Sequence, residues 1–155
     1  SALIGLKGFQ ENFERLQDVE LHTRALLGNL KYEICDCESD FYYRIDPKRN
    51  LANPEKALIN KLKGIAEFVN FFYSEINENN KYLKGTAIIA FKDVLNFYEG
   101  NDISNRVVNV LLARIFGYNN SRENMILSIY KYLFSKGFYK IKGFNYTFRN
   151  LYIHL

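Results

Sequence analysis

The stretch NPEKALINKLKGIAEFVNFFYSEI, residues 53–76, decides the fold class. Its apolar residues Leu58, Leu62, Ile65, Val69, Phe72 and Ile76 recur at intervals of four and three. That is the period of one helical face, whereas a half-buried strand alternates every second residue. Asn53 has N-cap chemistry, Pro54 suits the first helical position, and Glu55 suits the positive end of the helix. A helix over 54–76 follows, closed by the polar run 77–80.

Working outward, the same period continues on both sides. Ile88, Phe91, Leu95 and Tyr98 share a face of a helix over about 86–98, with Gly100 as its C-terminal cap. A helix over about 103–116 carries Val107, Val108, Leu111, Leu112 and Ile115 inward. Asn120 and Glu123 have capping-box spacing and open a helix over about 121–136 with Met125, Ile126, Ile129, Tyr130 and Leu133. Towards the N-terminus, Leu6, Phe9, Phe13 and Leu16 form a stripe that resumes at Thr23, Leu27, Leu30, Ile34 and Cys37. It predicts one long helix over about 3–37, bent near Gly28, followed by a loop to residue 53.

The tail changes period. Phe144, Tyr146 and Phe148 alternate with polar residues, as do Leu151, Ile153 and Leu155, and Phe138–Lys142 has strand composition. A terminal hairpin is expected, with a sixth helix starting near Thr147 as the competing reading. The expected fold is therefore mainly α: about five amphipathic helices in one bundle-like domain with a small C-terminal β-hairpin. Residues 1–155 read as a single domain, with a long N-terminal helix and loop (1–53), a four-helix core (54–136) and a hairpin tail (137–155).

Composition bounds the rest. Of 155 residues, 48% are hydrophobic, enough for a core, and no apolar run is long enough for a membrane span. Ser1-Ala2-Leu3-Ile4 lacks the basic-then-apolar order of a signal peptide. Cys35 and Cys37 stand one residue apart, and His22 and His154 are far from them in sequence. Two reduced thiols of an intracellular protein, cytoplasmic or nuclear, are expected, with no metal, no cofactor and no membrane partner. Paired carboxylates at Glu11/Glu14, Glu33/Asp36 and Glu38/Asp40 read as solvated surface. No phosphate loop, dinucleotide fingerprint or nucleophile elbow is present.

Charge is uneven: residues 1–80 carry a net −3 and residues 81–155 a net +7, making the chain's +4. From Asn124 onward Lys131, Lys136, Lys140, Lys142 and Arg149 occur with no acid. In Phe138–Phe148, rings interleave with lysines. Rings that stack on bases, beside cations that meet phosphates, suit a single strand of DNA or RNA, with Phe144 and Tyr146 as stacking candidates. Packing of those rings on the helices is the competing expectation.

Three resemblances attach to these residues. The order of three helices and a hairpin over about 86–155 resembles a winged helix, which would put the helix over 121–136 in a DNA groove and Lys140 and Lys142 on the wing. Lys142-Gly143-Phe144 resembles the start of the RNP1 strand of RNA-recognition motifs. Arg149-Asn150-Leu151-Tyr152-Ile153-His154 resembles the R-N-x-x-x-H motif of HEPN ribonucleases. That resemblance implies an all-helical, dimeric, metal-independent RNA-cleaving protein using Arg149 and His154.

Three functions are thus expected in order. The first is a non-catalytic helical assembly module of an intracellular complex. It would meet a protein partner or a second copy through Leu6, Phe9, Phe13 and Leu16. The second is a nucleic-acid-binding module using the basic half, and the third is the HEPN-type ribonuclease.

Overall fold

A computed structural model of the chain describes residues 5–10, 13, 16–31, 53–73 and 81–155. Six α-helices lie among them, and no strand. They are α1 (Gln17–Leu27), α2 (Pro54–Phe72), α3 (Lys81–Phe97), α4 (Arg106–Ile115), α5 (Ser121–Ser135) and α6 (Phe144–Ile153). The chain divides into two compact units, Ser1–Ala57 and Leu58–Leu155. Cys35, Cys37, the three carboxylate pairs, the loop before Asn53 and the end of the predicted helix at Ile76 lie outside the described residues.

In the first unit the long helix predicted over 3–37 is not formed. Helix α1 covers only Gln17–Leu27, and Leu16 before it is left-handed, with φ 62°. Lys7 (φ 59°) and Gly8 (φ 69°) turn the preceding segment back. Arg24 holds that segment: its guanidinium donates to the carbonyl oxygens of Leu6 and Gly8 while pairing with the buried Glu20. A partly buried guanidinium needs several acceptors, and here backbone carbonyls supply two of them. At its other end α1 stops where a bend was expected. The Asn29 amide bonds to Leu26 O (3.0 Å) and the Leu30 amide to Ala25 O (3.0 Å), with Asn29 at φ 56°. These two bonds around a left-handed residue form a Schellman motif, which satisfies the last carbonyls and ends the helix.

In the second unit the expected helices are present, but Met125 and Ile129, grouped in the sequence with the apolar residues of α5, face solvent, and Leu127 and Phe134 take the inner face with Ile126 and Tyr130. Leu58, Leu62, Ile65, Val69 and Phe72 of α2 are all buried, and the Lys56 amide donates to Asn53 Oδ1 at 3.2 Å. Ile88, Phe91 and Leu95 are buried on α3. Asn105 caps α4, its Oδ1 accepting from the amides of Val107 (2.8 Å) and Val108 (3.3 Å). Val107, expected inside, faces outward; Val108, Leu111, Leu112 and Ile115 form the inner face. The capping box at Asn120 and Glu123 is present in full.

Helix α3 also ends in a Schellman motif, but with Glu99 rather than Gly100 at the first left-handed position (φ 52°). Gly100 is required for a second reason. At φ 75° it passes so close to α5 that a Cβ would sit 2.8 Å from Ser135 Cα.

The expected hairpin over 137–155 is replaced by a 3₁₀ turn at Phe138–Lys140 and helix α6. Phe144, Phe148 and Tyr152 stand four residues apart, so a helical stripe lies inside the apparent alternation. Tyr130 of α5 decides between the two. Its ring centroid lies 5.5 Å from that of Phe144 and 5.1 Å from that of Phe148, and those two rings are 4.9 Å apart. A strand would share the face but hold them about 13 Å apart, so only a helix brings both to one ring. Tyr152 is buried beside Phe116. Packing overrides the β-propensity of aromatic residues, as it commonly does. Without a hairpin the winged-helix order loses its wing and the RNP1-like residues have no strand. Helix α6 packs on α3 and α5, closing the unit at its C-terminal end.

Candidate functional site

Helices α3 and α6 leave a cleft of ≈ 380 Å³ lined by Ile88, Ile89, Lys92, Tyr130, Asn145, Tyr146 and Arg149. Both walls use the same spacing. Ile88, Ile89 and Lys92 come from α3, and Asn145, Tyr146 and Arg149 from α6, each set at i, i+1 and i+4. Such spacing puts an apolar or aromatic residue one turn before a cation. Tyr130 donates its hydroxyl proton to Asn145 Oδ1 at 2.7 Å, which leaves the Asn145 amide hydrogens unused among the described residues. Burial and the nearby Asp93 carboxylate push the Tyr130 phenol up to about 12. Lys92 and Arg149 form no ion pair among the described residues, whereas Asp93 is held by Lys61. Tyr146 is 69% exposed.

A second feature is the outer face of α5. Met125 (57% exposed), Ile129 (43%) and Tyr132 (61%) lie at i, i+4 and i+7, directed away from the core residues Ile126, Leu127, Tyr130 and Phe134. Exposed Arg122 and Lys136 flank them, and the Lys136 ammonium lies 5.6 Å from the Tyr132 ring centre.

A third is a buried polar node between α3, α5 and α6. Lys84 pairs with Glu123, whose second oxygen accepts from the Asn120 amide at 2.7 Å. Tyr152 donates to Asn119 Oδ1 at 2.8 Å. Burial, opposed by that hydrogen bond and aided by Glu123, drives the Tyr152 phenol well above its ordinary range. Tyr118 stacks on Tyr73 with ring centres 3.6 Å apart and donates to Asn70. These contacts join α3, α5 and α6.

Of the residues singled out in the sequence for nucleic acid, Tyr146 and Arg149 are brought together in the α3–α6 cleft. Lys131 pairs with Asp102 at 3.2 Å and lines a different cleft with Gly100, Asn101, Ser128, Tyr132 and Ser135. Lys136 and Lys140 lie over tyrosines of their own segments, and Lys142 is exposed. Phe144 packs against Tyr130, Phe138 and Phe148, so its faces are engaged inside the fold. On α6, Arg149 lines the cleft and His154 caps the helix end. Five residues apart on a helix, they lie about 140° from each other. Of the N-terminal stripe, Phe13 is buried, Leu6 and Leu16 are half-buried, and Phe9 is exposed. Lys92 and Ile89 were missed because nothing in a single helix signals which neighbour will leave a gap beside it.

No metal-holding cluster of His, Cys, Asp or Glu occurs among the described residues, and none of their helices is long and apolar enough to cross a membrane. Comparison with family models, curated proteins and solved structures finds no match to this chain.

Proposed function

We propose that this chain is a non-catalytic helical interaction module that docks a protein partner on the outer face of α5. The observation that carries the reading is the row Met125, Ile129 and Tyr132, three large side chains that project into solvent from one helix face. Single exposed apolar residues are ordinary, but an aligned row with an aromatic and a Met is the composition of an interface centre. Arg122 and Lys136 beside it favour a partner helix whose own apolar stripe is flanked by acids.

The test is a Met125→Glu/Tyr132→Glu double variant, compared with the parent chain by sedimentation and by photo-crosslinking from position 129. Both altered residues are exposed, so the variant should melt close to the parent, while self-association or partner crosslinks should disappear. Crosslinks that persist in the double variant, or that form equally from Lys142, would remove the reading.

A further inference from the structure

We infer that the cleft between α3 and α6 binds a nucleotide, its phosphate held by Lys92 and Arg149 and its base laid on the ring of Tyr146. This goes beyond the docking role proposed for α5 and does not depend on it, since the two surfaces share no residue.

Charge comes first. Two cations line one cleft without an acidic partner among the described residues. Asp93, the acid next to Lys92 in sequence, is already engaged by Lys61. An arginine fork matches two phosphate oxygens and a lysine adds a point charge, a pairing that serves phosphate better than either alone. The Asn145 amide adds donors on the same wall, because the Tyr130 hydroxyl occupies its oxygen and turns the nitrogen away. Tyr130 stays protonated at any physiological pH, so this orientation is held constantly.

An inorganic anion would use only half of the cleft. Tyr146 offers a ring face and Ile89 an exposed apolar edge, neither of which a bare phosphate can cover. A base has a π-face for the first and an apolar rim for the second. The volume of ≈ 380 Å³ lies at the small-ligand end of ordinary pockets and suits one nucleotide rather than a duplex. A peptide carboxylate would satisfy the cations and leave the ring uncovered, so the aromatic wall favours the nucleotide. The nucleotide could be free or one unit of a single strand, because the recognised chemistry is the same.

The experiment uses the full chain at low salt. AMP, UMP, a short oligouridylate, inorganic phosphate and a short polyglutamate are each titrated by calorimetry. Mononucleotide or oligouridylate should bind more tightly than inorganic phosphate. Tighter binding by the oligomer identifies a strand as the source, and equal binding identifies a free nucleotide. Lys92→Met and Arg149→Met should each weaken nucleotide binding about tenfold or more. Tyr146→Ala should also cost about tenfold, and Tyr146→Phe should retain the affinity because stacking needs the ring and not the hydroxyl. The three altered residues are at least partly exposed, and circular dichroism checks that each variant keeps its helices. Phosphate binding as well as the nucleotides, polyglutamate binding as well with the same dependence on Lys92 and Arg149, or no nucleotide binding at millimolar concentration would each overturn the proposal. So would nucleotide binding untouched by all three substitutions.

Discussion

Tyr130 shows how one side chain can carry several parts of the fold. Its ring contacts Phe144 and Phe148 on α6 and Phe91 on α3, and its hydroxyl orients Asn145. Burial raises the phenol from the ordinary 10.0 to about 12, so the folded state keeps its proton over a range in which the unfolded chain has lost it. By linkage, the native contribution is complete below pH 10 and is lost as the pH rises towards 12. Across that window the melting temperature of the parent should therefore fall more steeply with pH than that of Tyr130→Phe, so that the two curves approach each other. Parallel curves would show that the phenol is not sequestered. Gly100 gives a second case. Replacement by Ala forces a Cβ against the α5 backbone at a left-handed φ, and should cost more than about 1 kcal/mol in urea denaturation. A variant as stable as the parent would mean that the α3–α5 approach can relax.

Between elements, Glu123 joins two kinds of stabilisation. It closes the capping box of α5 and neutralises Lys84 of α3, whose side chain is nearly buried. Asn120→Ala should lose a cap worth about 1 kcal/mol. Glu123→Ala should lose more, about 3–5 kcal/mol, because it also strands a buried ammonium. Equal losses in chemical denaturation would show that Lys84 finds solvent. Caps of this kind were legible in the sequence: Asn53, Asn120 and Glu123 act locally, through amides two or three residues away. The faces of α2 and α3 were legible for the same reason, since a buried stripe of period 3.6 needs only its own helix. The N-terminal segment and the tail were not. Lys7 and Leu16 take left-handed conformations where the stripe asked for helix, and Arg24 rewards this from sixteen and eighteen residues away. Phe144 and Phe148 fit a strand with Tyr146 and a helix with Tyr152, and only Tyr130, distant in sequence, separates the two patterns. The cleft at Lys92 and Arg149 is likewise a property of two helices, so no single stretch announces it.

At the scale of the whole unit from Leu58 to Leu155, the last helix is a structural keystone for the cleft and for the core beneath it. Helix α6 covers α3 and α5 with Phe144, Phe148 and Tyr152, while Tyr146, Arg149 and Leu151 face outward. Its ten residues are too few to be stable as an isolated helix, so it holds its shape only by packing. The converse also applies. Without α6, the rings of Tyr130 and Phe116 lose their covering neighbours and Asn119 loses its tyrosine partner. A chain truncated after Lys142 should keep much of its helical far-ultraviolet signal, since α2 to α5 retain their own caps. It should lose the near-ultraviolet aromatic signal, bind a hydrophobic dye and melt without a sharp transition, the behaviour of a loosened core. Two point variants separate packing from length. Tyr152→Ala removes a fully buried ring and should cost about 3–5 kcal/mol, approaching the truncation in effect. Leu151→Ser, one residue away on the exposed side, should change stability by less than about 0.5 kcal/mol. A truncated chain that melts as sharply as the parent would show that the core is complete without α6. In that case the α3–α6 cleft would be an appendage to the fold rather than part of it.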